Sequence, residues 1–159
     1  MLVFRGVMAV FLFAACVAPA AADITGFIGS ATSPTRRLVR GVAVGAGLLV
    51  LGFEFEYADA VEDEDSGAPS LRTGMGNVLL QTPLAIKGFQ PYFTTGGGVY
   101  HERQGDDSST DVGMNVGGGV KITLAGPLRV RVDYRVFTLR GSPRVSPVHR
   151  FYAGVNLNF

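Results

Sequence analysis

Residues 112–136 read VGMNVGGGVKITLAGPLRVRVDYRV, and their alternation decides the fold. Val112, Met114, Val116, Val120, Ile122 and Leu124 fall on even numbers. Asp111 just before the run, with Asn115, Lys121 and Thr123 within it, falls on odd ones. Successive residues of a strand point to opposite faces, so this arm has one apolar and one polar side. The second arm repeats the pattern with heavier charge. Leu128, Val130, Val132, Tyr134 and Val136 lie on one face, with Arg129, Arg131, Asp133 and Arg135 on the other. Facing residues of an antiparallel pair share a face. Both arms keep one parity, so the connection must hold an odd number of residues, most simply Ala125, Gly126 and Pro127. Pro127 then opens the second arm, where proline is tolerated.

Alternation fits two arrangements: a soluble barrel with an apolar interior, or a membrane barrel with a polar one. The chain has 159 residues, 22 glycines, no tryptophan and 17% charged residues, which suits one β-rich domain. Arg5, the apolar run Val7 to Val17 and Ala20-Ala21-Ala22 before Asp23 have the layout of a secretory signal peptide over residues 1–22. The domain is expected over 23–159. Without Arg5 it carries 13 Lys and Arg against 13 Asp and Glu, a balance that argues against nucleic acid or a strongly anionic surface as partner. The only cysteine, Cys16, falls in the leader, so neither disulfide nor thiolate chemistry is expected in the domain.

Taken in order, Ile24 to Ala31 reads as a first strand, followed by a basic loop, Thr32 to Arg40, with Arg36, Arg37 and Arg40. Gly41 to Tyr57 is 17 residues long. At about 3.3 Å per residue it would overrun a hydrocarbon core of roughly 30 Å, so a tight turn is expected within Ala46 to Leu49, making two strands. An acidic loop, Ala58 to Ser70, follows. Leu71 to Thr82 is the fourth strand, and a short link leads to the fifth, Phe89 to His101. Glu102 to Thr110 is polar and reads as a loop, the hairpin supplies two more strands, and Val148 to Phe159 is the eighth.

Long polar loops then follow the odd-numbered strands and short links the even-numbered ones, an asymmetry typical of outer-membrane barrels. The predicted fold is all-β: an eight-stranded antiparallel up-and-down transmembrane barrel. Together with the leader and the ending Tyr152-Ala153-Gly154-Val155-Asn156-Leu157-Asn158-Phe159, this pattern resembles the small outer-membrane β-barrel superfamily of OmpA-type domains. The resemblance covers the whole chain after the leader. It implies a cell outer membrane location in a Gram-negative bacterium, and contact with outer-membrane lipid and lipopolysaccharide. It also implies recognition of Phe159 by the outer-membrane assembly machinery. Members of the superfamily include adhesins, complement-resistance proteins and structural anchors, so the resemblance implies architecture rather than one activity.

A barrel of eight strands is just wide enough to be filled by side chains, and charges inside it must find partners. The third and seventh strands stand opposite one another in such a ring. Glu54 and Glu56 are therefore expected to face Arg129, Arg131 and Arg135 across the lumen, in a charge network with Lys121 and Asp133. Gly113, Gly117 and Gly119 should leave room for the guanidinium groups. A narrow ion path and a structural salt-bridge core both fit, and paired charges favour the core.

No enzymatic constellation is expected. His101 beside Glu102, with Ser108 and Ser109 beyond, and His149 after Ser146 lack the His-x-Ser arrangement of the lipid A deacylases. The acidic run Asp59, Glu62, Asp63, Glu64 and Asp65 lacks calcium-loop spacing and reads as a solvated tip, so neither metal nor cofactor is expected. The reading is thus a non-enzymatic outer-membrane barrel with a structural or surface role. A soluble exported barrel binding an apolar ligand and a lipid-modifying outer-membrane enzyme stand as alternatives.

Overall fold

A computed structural model describes residues 20–33, 35–63 and 67–159. The strands are β1 (Ala20–Ala31), β2 (Arg37–Leu48), β3 (Leu51–Ala60), β4 (Ser70–Gln81), β5 (Phe89–Gln104), β6 (Asp107–Ala125), β7 (Leu128–Leu139) and β8 (Val148–Asn158). Each pairs antiparallel with the next, and β8 pairs with β1, so the sheet closes into a barrel. Closure matters physically. In a hydrocarbon environment every backbone N–H and C=O needs an internal partner, and a closed sheet supplies them all.

Residues 1–19 of the expected leader lie outside the described residues. Ala20, Ala21 and Ala22, the expected cleavage site, begin β1 opposite Leu48, Gly47 and Ala46. The turn between β2 and β3 is Leu49-Val50, at the end of the expected window and one residue beyond it. Leu48 and Leu51 are the closing pair. Arg37 and Arg40, expected in a loop, belong to β2, and Asp59 belongs to β3.

The stretch 102–110 is not a loop. β5 and β6 continue through it in unbroken register from Glu102↔Ser109 to Gln104↔Asp107, closed by Gly105-Asp106 with Gly105 at φ 58°. The hydroxyl-rich run Ser108-Ser109-Thr110 keeps extended structure once a glycine supplies the turn. At 16 and 19 residues these strands exceed the roughly 9–11 needed to span a bilayer, so the hairpin stands out beyond the rim.

The β6–β7 hairpin keeps the expected parity, with Val116↔Val136, Val120↔Val132 and Ile122↔Val130 facing. Its closure differs. The register shifts between Thr123 and Ala125, Ala125 faces Leu128, and Gly126-Pro127 makes a two-residue turn with Gly126 at φ 54°. A bulge thus supplies the odd residue that parity demands.

Sidedness is uniform. Odd-numbered residues of β1 from Asp23 onward, and of β2, β4, β6 and β7, point inward, as do even-numbered residues of β3, β5 and β8. Outside, the Val and Leu stripe of the hairpin joins Val42, Val44, Phe53, Phe55, Phe93, Phe151 and Val155, all exposed. Arg131, Arg135 and Arg150 lie inside and apolar side chains cover most of the outer wall, the reverse of a soluble barrel.

Candidate functional site

The lumen has three levels. At the level of the short turns, Lys121 Nζ on β6 is 2.5 Å from Asp23 Oδ2 on β1. Nearby, Arg129 donates to Gln90 Oε1 (3.2 Å) and Asn158 Oδ1 (2.9 Å). A small cavity lined by Asp23, Gly45, Gly52, Leu79 and Lys121 reaches up to Glu54.

The middle level holds the charge cluster. Alternation on β3 delivers Glu54 and Glu56 to the interior, and alternation on β7 delivers Arg131, Asp133 and Arg135. Glu54 receives Arg131 and, at 2.8 Å, Arg135 Nη2. Glu56 is within 3.2 Å of Arg135 Nη1 and receives Arg150 Nη1 at 2.8 Å. Asp133 receives Arg135 Nε at 3.0 Å and Arg131 Nη2 at 3.0 Å. Three carboxylates therefore meet three guanidinium groups, and each of the six side chains is at most 2% exposed. Charges so buried survive only when paired and hydrogen-bonded, and this set is balanced.

Neutral groups complete the cluster. Tyr92 donates to Asp133 and accepts from Arg131 Nε at 2.7 Å. Tyr152 donates to Glu56 Oε2 (3.2 Å), accepts from Arg135 (3.1 Å) and stacks on Phe27 with ring centres 4.1 Å apart. Arg150 also donates to Thr73 Oγ1 at 3.1 Å. Asn77 donates to Glu54 at 3.4 Å and accepts from Asn115 at 2.8 Å.

Of the residues expected to form one network, Glu54, Glu56, Arg131, Asp133 and Arg135 come together. Arg129 and Lys121 do not. Both sit nearer the short turns, where Gln90, Asn158 and Asp23 are in reach and the glutamates are not. Arg150, Tyr92 and Tyr152 were missed as members. Arg150 was legible as an inward residue of the last strand, but its partner is set by how the strands stagger around the ring. The inward glycines also divide. A side chain at Gly117 would collide with Arg135, as expected, whereas Gly119 yields its space to Tyr92 and Gly113 to Leu139 and Met75.

The third level, toward the long loops, is apolar. Val39, Leu71, Met75, Tyr100, Phe137, Leu139 and Val148 are each at most 5% exposed and pack as one cluster. Arg150 lies 4.1 Å from the centre of the Phe137 ring and joins this plug to the charges beneath it. Nothing in the alternation announced the plug. Its members share the inward face with charged residues, and only the register separates them by height.

Both histidines face outward. His101 Nδ1 is 2.8 Å from Thr110 Oγ1, and His149 Nδ1 is 2.7 Å from Tyr134 Oη. Ser146 exchanges hydrogen bonds with Leu139 rather than with a histidine. Phe159, 75% exposed, donates its N–H to Ala22 O at 2.8 Å and so fastens the end of the chain to β1.

No family model and no curated protein matches the sequence. Solved structures do. Neisserial surface protein A (NspA) is 16% identical with a TM-score of 0.69 over 88% of this chain and 97% of its own. The N-terminal β-barrel domain of Pseudomonas aeruginosa OprF is 14% identical, with a TM-score of 0.65 over 87% and 97%. The outer membrane enzyme PagL is 14% identical, with a TM-score of 0.55 over 85% and 98%. At these identities the likeness is one of fold: the chain is built as a small eight-stranded barrel of the outer-membrane type.

Proposed function

We propose that the chain is a non-enzymatic outer-membrane barrel with a filled lumen, serving a structural role or acting through its outward surfaces. The observation that carries this reading is sidedness. Six charged groups are sealed inside a ring whose outer belt is largely apolar, an arrangement suited to hydrocarbon and not to water. The lumen supports a scaffold rather than a conduit, because balanced charges fill its middle and an apolar plug its outer third. Export would use residues 1–22 as the signal peptide, and insertion would use the assembly machinery at Phe159. Outer-membrane lipid and lipopolysaccharide would then surround the belt, with the long loops outside the cell.

PagL shows that this fold can carry an enzyme. Here the histidines pair with Thr110 and Tyr134, and among the described residues neither reaches a carboxylate at ion-pair distance. That supports the non-enzymatic reading. Fractionation tests location: the protein should sediment with outer membranes and be released only by detergent. Recovery in the soluble periplasm would overturn it. Lipid A from the same cells should keep its mass, and a shifted mass would point to the enzyme instead.

A further inference from the structure

On the outer face of β1 to β4, two rows of residues lie side by side. The register places Ile28, Arg40, Asp59 and Arg72 in one row, and Gly26, Val42, Tyr57 and Gly74 in the next row toward the short turns. Arg40 and Arg72 are 71% and 58% exposed in their side chains, whereas Asp59 between them is 24% exposed. Arg72 reaches Asp59 through Nε at 3.4 Å, and Arg40 Nη2 stands 4.0 Å from the same carboxylate. The three charges leave one net positive charge on the lipid-facing wall, at the end of the apolar belt nearer the long loops. Among the described residues, the terminal nitrogens of Arg72 bond nothing.

The wall beneath has matching relief. Phe53, Phe55 and Tyr57 form an outward ridge along β3. A shallow trough runs on each side of it. On one side, a side chain added at Gly26 would meet nothing within 4 Å, and that trough is walled by Val42 and leads up to Arg40. On the other side Gly74 and Gly76 leave the wall low, and the trough ends at Arg72 on the same face of β4. A charged guanidinium bordering hydrocarbon is unfavourable unless an anion meets it there, and arginine matches phosphate with two parallel hydrogen bonds.

We propose that this wall is a binding site for a lipid with phosphate at the junction of headgroup and acyl chains, its phosphate held between Arg40 and Arg72. The acyl chains lie in the troughs flanking the Phe53-Phe55-Tyr57 ridge. Asp59 spaces the two arginines and competes with the phosphate for them. This deepens the outer-membrane reading and rests on it.

The test reconstitutes the full barrel with equal amounts of lipid A bearing its phosphates and the same lipid enzymatically dephosphorylated. Lipid retained after transfer to non-ionic detergent is weighed by native mass spectrometry. The wild type should keep the phosphorylated form selectively. Arg40→Gln with Arg72→Gln should lose about tenfold or more of that retention, the effect of removing charge-assisted hydrogen bonds to an anion. Arg40→Lys with Arg72→Lys should keep an intermediate share. Asp59→Asn should raise retention, whereas a merely structural ion-pair triad would make it fall along with the arginine variants.

Equal retention of the two lipids, an unchanged glutamine variant, or a fall in Asp59→Asn would each overturn the proposal. Fractionation of the same strains separates the two levels of failure. A membrane-resident barrel without phosphate selectivity sinks the site alone, and a soluble wild type sinks the location with it.

Discussion

Glu54 and Glu56 stand two residues apart on β3 and each serves two guanidinium groups, so neither can be removed without stranding buried positive charge. Replacing both with glutamine should destabilise the barrel by about 3 to 5 kcal/mol, the usual effect of breaking a buried pair from one side. Neutralising Arg131 and Arg135 as well leaves Asp133 and Arg150, one charge of each sign, and part of the loss should return. Urea unfolding of the wild type, both one-sided variants and the combined variant, in liposomes, measures the cycle. Strictly additive losses would show that the groups act independently. At this scale the sequence told which residues point inward on β6, β7 and β8, where the apolar and polar residues keep separate parities. It did not tell which inward residues meet. Arg150 faces Arg135 directly across the β7–β8 pair, and only the shared carboxylate of Glu56 makes that tolerable.

Turns and strand ends were legible where their chemistry is local and obscure where it is not. Length alone placed the β2–β3 turn within Ala46 to Leu49, and the glycines at and beside that window, Gly47 and Gly45, both sit in β2 facing inward. A side chain at Gly45 would press on the Asp23 carboxylate, so space and not turning requires that glycine. The turn falls instead on Leu49, at φ 52°, a left-handed conformation that is unfavourable for a leucine by about 1 to 2 kcal/mol. Asparagine tolerates that region. Leu49→Asn should therefore stabilise the barrel by about 1 kcal/mol, seen as a higher urea midpoint at unchanged slope. The facing of β4 was equally hidden, since Leu71, Met75 and Leu79 point in while Val78 and Leu80 point out, leaving no single greasy face to read. The hairpin Val112 to Val136 was clear for the opposite reason: four charged residues of β7 share one parity.

Across the whole molecule, one end is a set of short turns and the other a set of loops and a tall hairpin, and the lumen follows the same polarity from Lys121 up to the Val39-Leu71-Phe137 plug. The ring closes through β8 and β1 from Asp23↔Asn158 to Ala31↔Arg150, whereas Phe159, among the described residues, bonds only Ala22 of the expected leader and its side chain stays exposed, so the side chain adds little to folded stability. Deleting Phe159 should lower the amount of barrel in the outer membrane severalfold while leaving the urea midpoint of the refolded protein within about 0.5 kcal/mol of wild type. Normal membrane levels would remove the assembly role. The β5–β6 hairpin bears on a different matter. β7 pairs with β6 only from Gly113, so residues 107–111 have β5 on one flank and no strand on the other among the described residues. A bare edge can recruit a strand from a neighbouring molecule and start aggregation. Here the edge reads Asp107-Ser-Ser-Thr-Asp111, an acid at each end, with Asp107 held 3.1 Å from Arg144. The stretch that rises highest above the barrel thus carries an acid at each end of the edge that another strand would have to join.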